Sequence, residues 1–136
     1  MRIIIGYGNS LRGEDAFGVD VISLLQKKKL KDTKLLSQYQ LTPELSLELL
    51  EASEIIFIDA LYGTDNYALA CDITNNQNAN LSHHIGPKVI IAMLNNIYNR
   101  YPKFQIYSMV TNQFDIIKNK KEYNRCLNLI ASYLSK

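Results

Sequence analysis

The sequence predicts a three-layer α/β/α sandwich on a mainly parallel five-stranded sheet with one antiparallel strand. Three observations lead there. Short β-branched runs alternate with helical periodicities in the order β-α-β-α-β-β-α-β-α, the pattern of a sheet covered by helices on both faces. The first strand is apolar at consecutive positions, which suits the buried middle of a parallel sheet. One connection, the six residues LYGTDN, is too short for a crossover between parallel neighbours, so one strand runs antiparallel.

Strand one is placed at residues 2–5 and is halted by Gly6-Tyr7-Gly8-Asn9. Helix one starts near Asp15 and carries Phe17, Val21, Leu24, Leu25 and Lys28 at helical spacing. The run KKKLK at 27–31 sets positive charge near its C-terminal end, where the helix dipole favours it. Strand two covers residues 34–39. Helix two has Thr42 as N-cap and Pro43 at its first position, with Leu45, Leu49 and Leu50 inward. Strand three is EIIFIDA, residues 54–60, the most strand-like run of the chain. Strand four, residues 67–73, is the antiparallel one. Helix three begins near Pro87 and carries Ile90, Met93 or Leu94, Ile97 and Tyr101, with Pro102 ending it. Strand five is residues 104–110. Helix four spans residues 120–134, with Tyr123, Leu127, Ile130 and Leu134 on one face. The segment TNNQNAN at 74–80 lacks an apolar face and reads as a loop.

With 136 residues the chain is expected to form one domain, 1–136, large enough to bury a core. Apolar residues make up 47% and charged residues 21%, an ordinary globular composition. A net charge of +2 gives no general electrostatic reason to expect nucleic acid or a membrane as partner. The apolar run at 3–5 is too short for a signal-peptide core, and no stretch has the length of a membrane span. The expectation is a soluble, cytoplasmic monomer. Cys71 and Cys126 form no CxxC and fall on a strand and a helix, so both are expected in the core.

Three polar groups stand out. Asp15 lies between strand one and helix one, Asp59 closes strand three, and His83 and His84 are the only histidines. If strands one and three are parallel, Asp15 and Asp59 share one edge of the sheet, where ligands bind in open α/β sheets. Strand four ends at the opposite edge, but the nine residues 74–82 reach up to ~30 Å and can return the chain. Two carboxylates and an imidazole suit a borderline divalent cation such as Zn, Ni or Mn. Plainer roles stand beside this one. An Asp at a helix start commonly caps it, an Asp at a strand end commonly serves a turn, and a loop His is commonly solvated. Gly6-Tyr7-Gly8 also fits a phosphate turn, but position 11 is Leu, so the third glycine of GxGxxG is missing, and Glu14-Asp15 would repel phosphate. No serine sits in a GxSxG elbow.

The stretch Gly6 to Val19, GYGNSLRGEDAFGV, resembles the opening motif of the hydrogenase maturation proteases, roughly G-x-G-N-x-L-x-G-D-[DE]-x-x-G. Gln40 to Leu45, QLTPEL, followed by Ile56 to Ala60, IFIDA, is similar to a second block of that family. Ser82 to Gly86, SHHIG, is similar to a third. The blocks come in the family's order and cover about the first two thirds of the chain. The resemblance implies a phosphorylase/hydrolase-like α/β/α sandwich. It also implies an endopeptidase that trims the C-terminal extension of a [NiFe]-hydrogenase large-subunit precursor once nickel is in place. The nickel would be supplied by that precursor, and Zn or Cd would be able to occupy the same site. Matched residue by residue, the implied catalytic and metal-binding trio is Asp15, Asp59 and His83. Glu14 and His84 stand beside that trio as substrate or loop supports, with His84 the alternative to His83 as ligand; Asn9, at the turn after strand one, is expected either to orient the loop or bond to the peptide, or simply to form the turn. Glu14 stands where the motif usually has Asp, and Ser10 where many members are apolar. Other readings of the chain are a non-catalytic binder of nickel-loaded precursor and a small nucleotide-binding module.

Overall fold

The computed structural model describes residues 1–72 and 85–136, and of Asp72 its backbone. The strands are β1 (Arg2–Tyr7), β2 (Thr33–Gln38), β3 (Glu54–Tyr62), β4 (Leu69–Asp72) and β5 (Lys103–Thr111). The α-helices are α1 (Phe17–Gln26), α2 (Leu45–Glu48), α3 (Pro87–Asn96) and α4 (Lys120–Leu134), and a 3-10 turn, Gly13–Ala16, precedes α1. The sheet order is β2-β1-β3-β5-β4. All neighbours are parallel except β4 and β5.

Alternation along the strands makes the two outer layers. Ile4, Ile56, Ile58 and Met109 pack with Phe17, Val21, Ile22 and Leu25 of α1 and with Tyr123, Leu127 and Ile130 of α4. Ile3, Ile5, Ile55 and Phe57 face the other way and pack with Leu45, Leu49, Ile90, Ile91 and Leu94 around α2 and α3. Each central strand is therefore buried on both faces, which explains its unbroken run of Ile and Phe. No helix among the described residues is long and apolar enough to cross a membrane.

Several boundaries move, each for a local reason. β1 runs on to Tyr7, because β2 pairs with it as far as Tyr7↔Gln38. Asp15 lies in the 3-10 turn, and the α-helix proper starts at Phe17. α2 is a single turn capped by Glu44; Thr42 and Pro43 contribute backbone carbonyls, which accept from the amides of Leu45 and Ser46. α3 stops at Asn96, where the Arg100 amide closes back on the Leu94 carbonyl and Asn99 takes a left-handed φ of 57°. Ile97 and Tyr101 are consequently exposed. β4 is antiparallel as expected, but it lies against β5. β3 and β5 pair up to Tyr62↔Thr111, so the chain leaving β3 must hook over the end of β5. The Gly63 and Tyr67 amides mark that path, bonding to the carbonyls of Thr111 and Val110. At this sheet edge Cys71 is exposed rather than in the core, whereas Cys126 is buried and its thiol meets the Tyr67 carbonyl at 3.3 Å.

Two glycines let α1 approach the sheet. A Cβ on Gly6 would stand 2.0 Å from the Gly18 carbonyl oxygen, and one on Gly18 would stand 2.2 Å from the Ile58 carbonyl oxygen. Both obstacles are backbone, so neither can rotate away. Gly18→Ala is expected to destabilise the protein by about 3 kcal/mol, as overpacking of a tight core does. Urea unfolding measures it, and a loss below about 1 kcal/mol would show that the helix relaxes easily.

Candidate functional site

β1 and β3 part company where the sheet order reverses. β1 pairs with β3 only to Gly6↔Ile58, while β3 continues beside β5 to Tyr62. β1 is followed by chain leading to β2 on one side, and β3 lies on its other side. Such switch points leave a crevice at the carboxyl ends of the strands. Here it is a cleft of ≈ 510 Å³, lined by Tyr7, Gly8, Asn9, Arg12 and Asp15, by residues 39–43, and by Ile85 and Phe114.

Asp15 is held in this cleft by its own loop. The Asn9 amide donates to its Oδ2 at 2.9 Å, and its backbone amide donates to the Arg12 and Phe114 carbonyls. Gly8 makes the loop possible. Its φ is +145°, and a Cβ there would lie 2.1 Å from the Asp15 carbonyl oxygen. Asn9 forms a turn, its Oδ1 accepting from the Leu11 amide at 2.9 Å, and its Nδ2 reaches the Tyr39 hydroxyl at 3.4 Å. Arg12 pairs with Asp115 at 2.7 Å and lies 5.9 Å over the Phe114 ring.

Asp59 is not the last residue of its strand but the first beyond the β1 pairing, beside Ser108 in the β3–β5 register. Its carboxylate is gripped from both neighbouring strands. The Tyr7 hydroxyl donates to Oδ2 at 2.6 Å, and the Ser108 hydroxyl donates to Oδ1 at 2.5 Å. Burial raises the Asp59 pKa to about 6; the two hydroxyls work against the rise and the charge of Asp15 adds to it. Burial, then Asp59, pushes the Tyr7 phenol well above its ordinary value.

Glu14 has a different place. It is 1% exposed and does not line the cleft. It accepts from the hydroxyls of Thr111 and Tyr67 and from the Lys118 amide, tying the 3-10 turn to β5 and to the approach to α4. That is support of the loop that carries Asp15. His83 and His84 lie outside the described residues, though Ile85, next in sequence, reaches the cleft. Among the described residues no three His, Cys, Asp or Glu side chains gather to hold a metal. Two of the expected ligands, Asp15 and Asp59, stand near enough for one to raise the other's pKa. Sequence reasoning missed Tyr7, Ser108, Thr111 and Tyr67. Their types carry no motif; strand register aligns Ser108 with Asp59, Tyr7 ends the neighbouring strand, and Tyr67 and Thr111 reach Glu14 only once the 3-10 turn is folded beside them.

Comparison with known proteins bears on the fold. No protein-family model matches the chain, and no curated protein sequence does. Solved structures match over nearly its whole length. A [NiFe] hydrogenase maturation protease HycI from Thermococcus kodakarensis is 19% identical with a TM-score of 0.75, covering 99% of this chain and 92% of its own. The hydrogenase maturating endopeptidase HybD from E. coli is 16% identical with a TM-score of 0.70, covering 98% and 91%. A hydrogenase 2 maturation peptidase from a Thaumarchaeota archaeon is 16% identical with a TM-score of 0.67, covering 98% and 94%. The chain shares the fold of these proteins: a mostly parallel five-stranded sheet with one antiparallel pair, flanked by helices.

The raised Asp59 pKa gives the protein a pH signature. Below the ordinary carboxylate value of 3.8 both folded and unfolded states are protonated, and the group contributes no penalty. Between that value and about 6 the unfolded chain loses the proton first, so stability falls as pH rises. Above about 6 the cost is complete, roughly 3 kcal/mol at 1.36 kcal/mol per pH unit. Asp59→Asn should therefore gain stability on the wild type by roughly 2–3 kcal/mol between pH 4 and pH 7. Denaturant titrations at both pH values check this; a variant–wild type difference that ignores pH would refute it.

Proposed function

We propose that this chain is a hydrogenase maturation protease, an endopeptidase that removes the C-terminal extension of a nickel-loaded [NiFe]-hydrogenase large-subunit precursor. The observation that carries this reading is that Asp15 lines the cleft and Asp59 stands near enough to feel its charge, at the strand divergence of a fold shared with proteins of that name. The resemblance of the GYGNSLRGED and SHHIG segments to the family's motifs supports it from the sequence side.

In this reading nickel arrives with the substrate, held by the precursor's own cysteines. Asp15, Asp59 and His83 each present a donor atom to it, with His84 the alternative imidazole. Two neighbouring carboxylates repel one another, and a cation relieves the repulsion. A loaded precursor is thereby preferred over an empty one. Capture of the metal fixes which peptide bond lies in the cleft.

Hydrolysis then needs a water aimed at the scissile carbonyl. The water oxygen bonds to the carbonyl carbon, the C–N bond breaks, and a proton passes to the leaving amine. A carboxylate of the site takes the water's proton as an aspartyl-type general base. Asn9 holds the loop: its amide bonds to Asp15 and its side chain closes the turn. The nucleotide-binding alternative is disfavoured, because Gly6 and Gly8 abut the carbonyl oxygens of Gly18 and Asp15, which would repel phosphate.

The test is to incubate the protein with a nickel-loaded large-subunit precursor and weigh the product by mass spectrometry. A shortened large subunit is expected. Asp15→Asn, Asp59→Asn and His83→Ala should each slow its appearance by at least ~100-fold while remaining folded. Precursor bound in pull-down but never shortened would favour the non-catalytic binder instead. Nickel-free precursor is expected to persist uncut, and rapid cutting of it would contradict the template role.

A further inference from the structure

We propose that Tyr7 and Ser108 are positioning residues that lock the Asp59 carboxylate in the orientation from which it meets a divalent cation; this rests on the proposed role of Asp59 in engaging nickel. The two hydroxyls come from opposite sides. Tyr7 ends β1 and Ser108 lies in β5, with Asp59 on β3 between them. Each takes a different carboxylate oxygen, Oδ2 at 2.6 Å and Oδ1 at 2.5 Å. A lone Asp side chain turns readily about its last torsion, whose energy well is broad. One hydrogen bond on each oxygen, from flanking strands, stops that rotation. An ionised carboxylate has about four acceptor sites, so two bonds leave lone pairs for a cation.

Tyr7 lines the cleft, and its hydroxyl is directed at Asp59. The G-x-G-N pattern does not specify position 7, and Ser108 lies outside the three matched blocks. Ser108 is 6% exposed, deep enough that its bond to Asp59 is little contested by solvent. Hydrogen-bond partners of metal ligands typically hold a 10–100-fold share of metal affinity.

Calorimetric titration of the untagged full chain with Ni²⁺ alone tests the clamp, with Tm recorded for each variant. Tyr7→Phe and Ser108→Ala each delete an oxygen. Both are expected to weaken Ni²⁺ binding by 10–100-fold with Tm within a few degrees of wild type. Ser108→Thr, which restores a hydroxyl, should bind within about threefold of wild type. Affinity unchanged in Tyr7→Phe and Ser108→Ala overturns the proposal, as does wild-type protein that fails to bind Ni²⁺. Tyr7→Phe leaves the fold's apolar contacts in place and decides the matter alone should Ser108→Ala not fold. Precursor cleavage separates the two claims. Wild type that cleaves, beside a Tyr7→Phe variant with full Ni²⁺ affinity, removes the clamp and spares the function. Loss of Ni²⁺ affinity in the variants of a protein that never cleaves does the reverse.

Discussion

The architecture turns on the close approach of α1 to β1 and β3, permitted by the absence of side chains at Gly6 and Gly18. The Gly18 carbonyl occupies the place of a Gly6 side chain, and the Ile58 carbonyl occupies that of a Gly18 side chain. Backbone contacts of this kind have no rotamer to adjust, so they set geometry more sharply than side-chain packing does. One consequence is local. The turn that leaves β1 must pass directly over the point where β1 and β3 separate. Asp15 is on that turn and Asp59 on the strand beside it, so the same close approach of helix and sheet sets where both acids stand.

Each acid is then held by neighbouring groups. Asp59 is gripped by hydroxyls on the strands to either side, and the loop of Asp15 is anchored by Glu14, whose carboxylate collects a tyrosine, a threonine and a backbone amide. Sites held by rigid strands and fully engaged partners keep their geometry better than sites built on loops alone. Burial of the Asp59 carboxylate is costly by itself, and the charge of Asp15 adds to that cost. That cost is a physical reason to expect a cation as the natural counterpart of the cleft.

Much of this was readable from the residues. EIIFIDA can hardly be anything but a buried strand, and GYGN after a β-branched run marks a strand-to-helix turn at its carboxyl end. From these, Asp15 and Asp59 follow onto one edge. What the chain order concealed depends on register. Ser108 is an ordinary polar residue in a strand until β3 and β5 align it with Asp59. Cys71 reads as core until β4 proves to be the outermost strand. The resemblance already separated Asp15, the ligand, from Glu14, the support; what it concealed is how Glu14 supports, through the hydroxyls of Thr111 and Tyr67 and the Lys118 amide.

The convergence of Asp15 and Asp59 on one cation is the claim most directly open to measurement. A crystal of the protein soaked in Zn²⁺, with anomalous scattering recorded at the zinc edge, locates the ion without reference to activity. A single strong peak within about 2.0–2.2 Å of an oxygen from each of the two aspartates is the expected result. Zinc bound elsewhere, with both carboxylates in the cleft left without it, would contradict the account.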